Sequence, residues 1–422
     1  MIEAIVNAFR VPDLRKKLIF TLVIIALYRV GAHVPVPGVN PDQVKQIVSQ
    51  GAALGLLNLF AGGALESFAV FSLGIMPYIT ASIIMQLLQA VVPKLEQWAK
   101  EGETGQRKIT QITRYLTLGI GLLESIGLLT VFQSSGGAGG RVGLGIQFDL
   151  LTQIVIIISL LAGTALIMWM GELITQRGIG NGMSLLIFAS IVSRFPRAMV
   201  SAFSVGNPLL VVLVLVILVV VVAAVIYIER GQRRVPVQYA KRVVGRRVYG
   251  GTGTYIPFKV NSANVIPIIF ASSVLFLPST LAGLTNVGWL KATGNALAGG
   301  WLHIVLTAVL VVFFTYFYTA LVFNPIDLAD NLRKNGGFIP GVRPGKNTVQ
   351  YMENVLNRVT LPGALFLAAI AVLPTILFSF TKVTVLQTFG GTSILIMVGV
   401  ALETMTQLES QLKMRHYDGF FK

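Results

Sequence analysis

Between Leu209 and Ile228 the chain runs twenty residues without a charge. A helix needs about 20 mainly apolar residues to cross the hydrocarbon core of a bilayer. This run is one of ten, at 18–34, 68–92, 112–133, 150–171, 183–203, 207–229, 262–283, 303–324, 359–380 and 390–410. A chain built this way does not fold around one aqueous-solvated core. Its composition agrees: 54% of residues are hydrophobic and 12% charged, where a soluble domain has about 25% charged. The expected fold class is an all-α polytopic membrane protein. The run at 183–203 holds Arg194, Pro196 and Arg197, so it is expected to end early and bend outward.

Charge placement gives an orientation. Segments 1–17, 93–114, 172–182, 230–261, 325–358 and 411–422 alternate with the other loops and hold 26 of the 33 Lys and Arg residues. Basic loops stay on the cytoplasmic side, so both termini are expected there. No cleavable signal is seen ahead of the first span, and Arg15-Lys16-Lys17 anchors its start. Ten spans divide into five plus five, with an N-terminal half at 1–205 and a C-terminal half at 206–422. The second span of each half is interrupted, by Gly74 and Pro77 in one and by Pro267 and Pro278 in the other. Matching interruptions in two repeats point to a transport path between them.

The chemistry available inside the membrane is sparse. There is no cysteine, and His33, His303 and His416 are too scattered for a metal cage. Glu124 is the one deep acid. It carries an insertion cost of roughly 2.5–3.5 kcal/mol and needs a polar partner or water. Glu172, Glu229 and Glu403 fall near helix ends, and every aspartate falls in a loop or terminus. An intramembrane aspartyl protease lacks its pair, a serine protease lacks a placed histidine, and no phosphate-binding loop is present. The chain reads as a conduit rather than an enzyme, with no cofactor and no metal. An aliphatic constriction can still gate such a conduit by dewetting.

Three segments stand apart from the spans. Residues 55–66, GLLNLFAGGALE, are apolar but too short to cross. They read either as a re-entrant piece against a cavity or as a helix lying on the surface. The loop 230–261 carries eight basic residues and no acid, with alternation at Val235–Tyr239 suggesting extended or hairpin structure. The loop 325–358 contains GGFIPGVRPG (336–345), which presents Arg343. Both loops serve orientation. Their charge exceeds that need and suits docking of an anionic partner, such as ribosomal RNA or an acidic patch on a motor protein. Paired arginines such as Arg233-Arg234 and Arg246-Arg247 fit phosphate or carboxylate.

From about Leu14 to the C-terminal tail the chain resembles the SecY family, the central channel subunits of the bacterial Sec protein translocase. The resemblance is carried by HVPVPGV (33–39), FAGGAL (60–65), SLGIMPYITASIIMQLL (72–88), EGETGQRKITQITRY (101–115) and TQRGIGNG (175–182). It continues in ERGQRRVPVQYAKR (229–242), VNSANVIPIIFASS (260–273), TALVFNPIDLADNLRKNGGFIPGVRPG (319–345) and FGGTSILI (389–396). It implies ten transmembrane helices in two pseudo-symmetric halves of five, a clamshell with a short plug helix.

The resemblance further implies a protein-conducting channel in the cell inner membrane, with an aliphatic pore ring at Ile75, Ile79, Met183, Ile187, Ile269 and Ile396. Met183 departs from the usual isoleucine, and its adaptable thioether softens the ring there. The plug would be about 55–66, with Leu57, Asn58, Phe60, Gly62 and Gly63. A lateral gate would carry Gln86, Glu124 and Asn264. The docking site for the SecA ATPase or the ribosome would use Arg233, Arg234, Lys241, Arg242, Arg246, Arg247 and Arg343. The family's partners are SecE, often SecG, preproteins bearing signal sequences, and membrane lipid. Two rival readings remain at this point. A secondary transporter explains the spans but not the basic loops, and a lipid scramblase or insertase would lack a through-pore.

Overall fold

The structure, a computed structural model, describes residues 9–37, 39–40, 44–45, 48, 58, 60–134, 149–205, 208–239, 242–244, 247–249, 253–284, 292, 294, 297, 300–381 and 391–418. Helices dominate. The first half contributes α1 (Pro12–Gly31), α2 (Met76–Val91), α3 (Pro93–Lys100), α4 (Glu103–Ser134), α5 (Leu150–Arg177) and α6 (Gly182–Val205). The second contributes α7 (Pro208–Arg230), α8 (Ile266–Leu284), α9 (Gly300–Val322), α10 (Pro325–Lys334), α11 (Lys346–Thr381) and α12 (Gly391–Asp418). Apart from the short α3 and α10, each helix falls on one of the ten apolar runs.

By length and composition, α4, α5, α6, α7, α9, α11 and α12 are apolar enough to cross a membrane, and α2 joined to α3 would be an eighth. That last pair bends by 100° at Val92, where Pro93 cannot extend the hydrogen-bonding of the preceding turn. The ten-span expectation also includes α1, whose first turns carry Asp13, Arg15, Lys16 and Lys17, and α8, an uncharged helix with Pro278 inside it.

Local chemistry sets several helix ends. Asp149 caps α5 by accepting from the Leu150 amide at 2.8 Å, and Asn324 caps α10 by accepting from the Ile326 amide at 3.1 Å. Two expected boundaries move. The second span starts at Met76 rather than 68, because Phe68 (φ 44) and Gly74 (φ 58) hold the chain in turns up to Ile75. The fifth does not end early: α6 continues past Pro196 to Val205. Proline inside a membrane helix is tolerated where neighbours satisfy the freed carbonyl, and the charge on Arg194 finds a partner described below.

The helices pack α4 on α2 and α5, α5 on α1 and α6, α8 on α2, α4 and α9, α9 on α11, and α12 on α6, α7 and α11. One apolar cluster runs through both halves, from Ile24 to Val400. Helix α7 joins it by a single stripe, Val211, Val214, Leu218, Val221 and Val225. Leu215, Ile217, Val222 and Ile226 flank that stripe, half-buried against the cluster, while Leu209, Val212, Val216, Val219 and Val220 on the far side are exposed, as suits a helix bathed in lipid.

Leu14 of α1, Ile179 after α5 and Leu408 of α12 form a separate small cluster, and Lys17 Nζ donates to Gln411 Oε1 at 3.4 Å. The start of α1 and the far part of α12 therefore meet at one end of the bundle.

At that end the fold adds a small sheet that an all-α description leaves out. Strands β1 (Gln232–Tyr239), β2 (Arg242–Val244), β3 (Arg247–Tyr249), β4 (Thr254–Lys259) and β5 (Gly337–Phe338) form a three-stranded sheet in the order β4-β1-β5 and a β2–β3 hairpin. β1 runs antiparallel to β4, pairing Val235 with Ile256 and Val237 with Thr254. The alternation in the loop supports this pairing. Val235 and Val237 face a second apolar core with Phe258, Leu332, Ile339, Met352, Val355 and Leu356.

Candidate functional site

The six side chains that the resemblance marks for a pore ring come from four helices, two in each half. Ile75 stands at the N-terminus of α2 and Ile79 one turn on. Met183 and Ile187 share a face of α6, Ile269 lies in α8 and Ile396 in α12. All six are buried in the same apolar cluster. Their exposures separate them: Ile75, Ile187 and Ile396 are at 2% or below, whereas Ile79, Ile269 and Met183 keep 7–8%. Asn181 aims the α6 pair by accepting from the Met183 amide at 3.1 Å. Behind Met183 stands Gly171 of α5, where a Cβ would overlap the Met183 sulfur.

The short outer segment packs directly on this cluster. Phe60, Ala61, Ala64, Leu65 and Phe68 belong to it, and Phe68 meets Phe132 of α4 edge to face. Asn58 and Phe60 are helical, and 61–68 form turns, so the expected plug helix gives way to turns from Ala61 onward. Leu57 lies outside the described residues. Gly74 lets the segment approach: its φ is +58, and a Cβ there would stand 2.9 Å from Ala61 Cα. A short bridge between Pro35 and Ala69 anchors the segment's far end, with the Val36 amide donating to the Phe68 carbonyl at 2.9 Å.

The halves meet where α8 packs on α2 and α4 and where α12 packs on α6, and the first of these seams carries the polar residues singled out above. Glu124 is buried in α4, and neither carboxylate oxygen has a hydrogen-bond partner among the described residues. Gln86 bonds only weakly to Ser82, at 3.5 Å, and its Oε1 is buried without a partner among the described residues. Asn264 sits apart from these two. It occupies the turn before α8 with φ 51, and it lines a cavity of about 140 Å³ with Glu229, Lys259 and Glu403. Its carbonyl accepts from Asn261 Nδ2 at 2.8 Å.

Comparison with known proteins decides the family. The family model described as SecY matches residues 69–405. The chain belongs to the SecY family. A protein translocase subunit SecY from Streptomyces galbus is 49% identical over the whole of both chains. A solved SecY protein, whose plug domain is described as stabilising the closed state of its translocation channel, aligns at 16% identity. That alignment covers 94% of this chain and 92% of the other, with a TM-score of 0.65. Sec61 from a canine ribosome–channel complex aligns at 14% identity over 94% and 92%, with a TM-score of 0.58. The last two carry the fold alone.

In this SecY-family chain the basic residues gather on the sheet at the end where α1 begins. Arg233 and Arg234 are exposed on β1, and the Arg234 guanidinium lies 4.8 Å from the centre of the Tyr255 ring. Arg343 is exposed, and its carbonyl accepts from Thr348 Oγ1 at 3.0 Å, which fixes the Gly/Pro turn. Arg242 pairs with Tyr249 and Arg247 with Val244, at opposite ends of the short β2–β3 hairpin. Lys241 and Arg246 lie outside the described residues.

Reading the sequence overlooked two ionic pairs. Arg114 of α4 clamps Glu172 of α5 with two bonds, at 2.9 and 2.6 Å. Arg194 of α6 pairs with Glu66 at 2.8 Å, across 128 residues. The signal for the second was visible as two arginines three residues apart in an apolar run, but nothing local named their partner.

Proposed function

We propose that this SecY-family chain is a protein-conducting channel that passes unfolded secretory polypeptides through its centre and releases transmembrane segments sideways into lipid. Supporting this reading, six aliphatic side chains, from α2 and α6 in one half and α8 and α12 in the other, are all buried in one apolar cluster that also takes in the short apolar segment. A passing chain presents side chains of every polarity. A polar filter would hold some of them, whereas a pliant aliphatic ring binds none strongly and closes around whatever occupies it. When the ring is empty, dewetting and the plug at 55–66 hold back ions.

In this reading the halves are 1–205 and 206–422, and α8 against α2 and α4 is the lateral gate. Gln86 and Glu124 are its polar contacts, while Asn264 acts at its cytoplasmic end. The channel hydrolyses nothing. Its drive comes from a partner ATPase of the SecA type or from the ribosome, seated on Arg233, Arg234, Lys241, Arg242, Arg246, Arg247 and Arg343. SecE, and SecG beside it, would cover part of the lipid-facing surface. Both termini face the cytoplasm, and the protein is multi-pass in the cytoplasmic membrane. The meeting of α1 and α12 at one end of the bundle supports placing both termini on the same side.

The natural absence of cysteine makes the test clean. Single cysteines at Ile79, Ile187 and Ile269 should cross-link to a secretory chain stalled halfway, and a cysteine at lipid-facing Val216 should not. Cross-linking confined to Val216 would exclude a central path.

A further inference from the structure

Three arginines from two helices reach the short apolar segment, two of them to one carboxylate and the third to a backbone carbonyl. Arg29 of α1 donates from Nη1 to the Gly62 carbonyl at 2.9 Å. Arg194 of α6 donates from Nη2 to Glu66 Oε1 at 2.8 Å, and Arg197 places Nη1 3.7 Å from Glu66 Oε2. The same carboxylate accepts from Asn58 Nδ2 at 2.6 Å, while the Glu66 amide donates to Asn58 Oδ1 at 3.3 Å. Glu66 thus staples the segment's two ends to each other and to α6. The side chains of Glu66 and Arg194 are 23% and 22% exposed, whereas Arg197 is 83% exposed. Gly62, with φ +65, lets the backbone press against α6: a Cβ there would meet Ser190 Cα at 3.0 Å.

We propose that Glu66 is a positioning residue for the closed channel. With Arg194 as its main partner, and Arg197 and Arg29 in support, it forms an ionic latch that fastens the plug to the N-terminal half. The proposal rests on the reading of 55–66 as the plug. Both helices that hold the segment, α1 and α6, lie ahead of residue 206. When α8 parts from α2 and α4, the plug therefore stays with the first half, and its release is a separate step.

The test is resting ion conductance of the purified channel complex in planar bilayers. Glu66→Arg and Arg194→Glu should each raise it about tenfold, because a partly buried charge then faces like charge. The double reversal should recover part of that rise, since the main pair is restored with its polarity inverted while Arg197 still faces it with like charge. Glu66→Gln keeps the shape and the Asn58 contacts and should fall between the parent and the single reversals. Single reversals with parental conductance would overturn the latch, as would a double reversal that leaks as much as its parents. A fifth variant, with 55–66 replaced by a short Gly/Ser link, separates the two readings. A leak there with none in the reversals sinks the latch alone, whereas no leak in either sinks the plug reading with it.

Discussion

Replacing Ile269 by Asn tests the aliphatic ring where the structure allows the cleanest readout. Ile269 keeps 7% exposure within the cluster that holds the other five ring side chains, so it borders the space they close rather than the deepest packing. Burying an isoleucine side chain contributes roughly 1.5–3 kcal/mol, and a buried amide without a partner costs roughly 1–3 kcal/mol. Part of each contribution is recovered when water enters. A shift of about 2–3 kcal/mol toward the wetted ring follows, which is roughly a 30- to 150-fold rise in conducting population. Ile269→Val removes one methylene at about 0.5–1.5 kcal/mol and keeps the surface apolar, so its leak should stay within about tenfold of the parent. The assay is resting conductance in planar bilayers, with thermal unfolding in detergent to confirm an intact fold. Parental conductance in both Ile269→Asn and Ile79→Asn, with the fold intact, would refute the reasoning.

Glu124→Leu should leave the protein as thermostable as the parent or raise its unfolding temperature in detergent. A buried carboxylate without a partner among the described residues contributes a desolvation cost and no bond, and a clear loss of stability would mean that the acid is satisfied in the membrane. Neutralising Arg233, Arg234 and Arg343 one at a time should weaken binding of an RNA-bearing partner. Each change should reduce the slope of log affinity against log salt by about 1 if that residue touches phosphate. An unchanged slope would move the docking surface elsewhere.

The membrane-spanning pattern was legible because each helix in lipid must satisfy its own backbone, which leaves a long apolar run in the sequence. The late start of α2 was harder to read. Residues 68–75 are apolar enough to extend it, and the positive φ values at Phe68 and Gly74 depend on packing against Ala61 and on the bridge to Pro35. The continuation of α6 through Pro196 was equally hidden, because Arg194 looks like a stop signal until Glu66 is seen beside it. The ring positions carry no signal of their own, since an isoleucine in a membrane helix is ordinary packing. Only their motif context marks them. The sheet was half legible: the alternation around Val235 gave the strands, but its partner β5 comes from a loop about a hundred residues later.

That sheet has a mechanical consequence. β1 begins at Gln232, directly after α7 ends at Arg230, and β4 ends at Lys259, a few residues before α8 begins at Ile266. The joints are braced: the Val260 amide donates to the Gly231 carbonyl at 3.0 Å, and Asn261 Nδ2 donates to Glu229 at 2.6 Å. In the channel proposed above, torque delivered to this platform by a docked partner would reach α8 through a coupling with little slack. Seating the partner and parting α8 from α2 and α4 would then be parts of one movement.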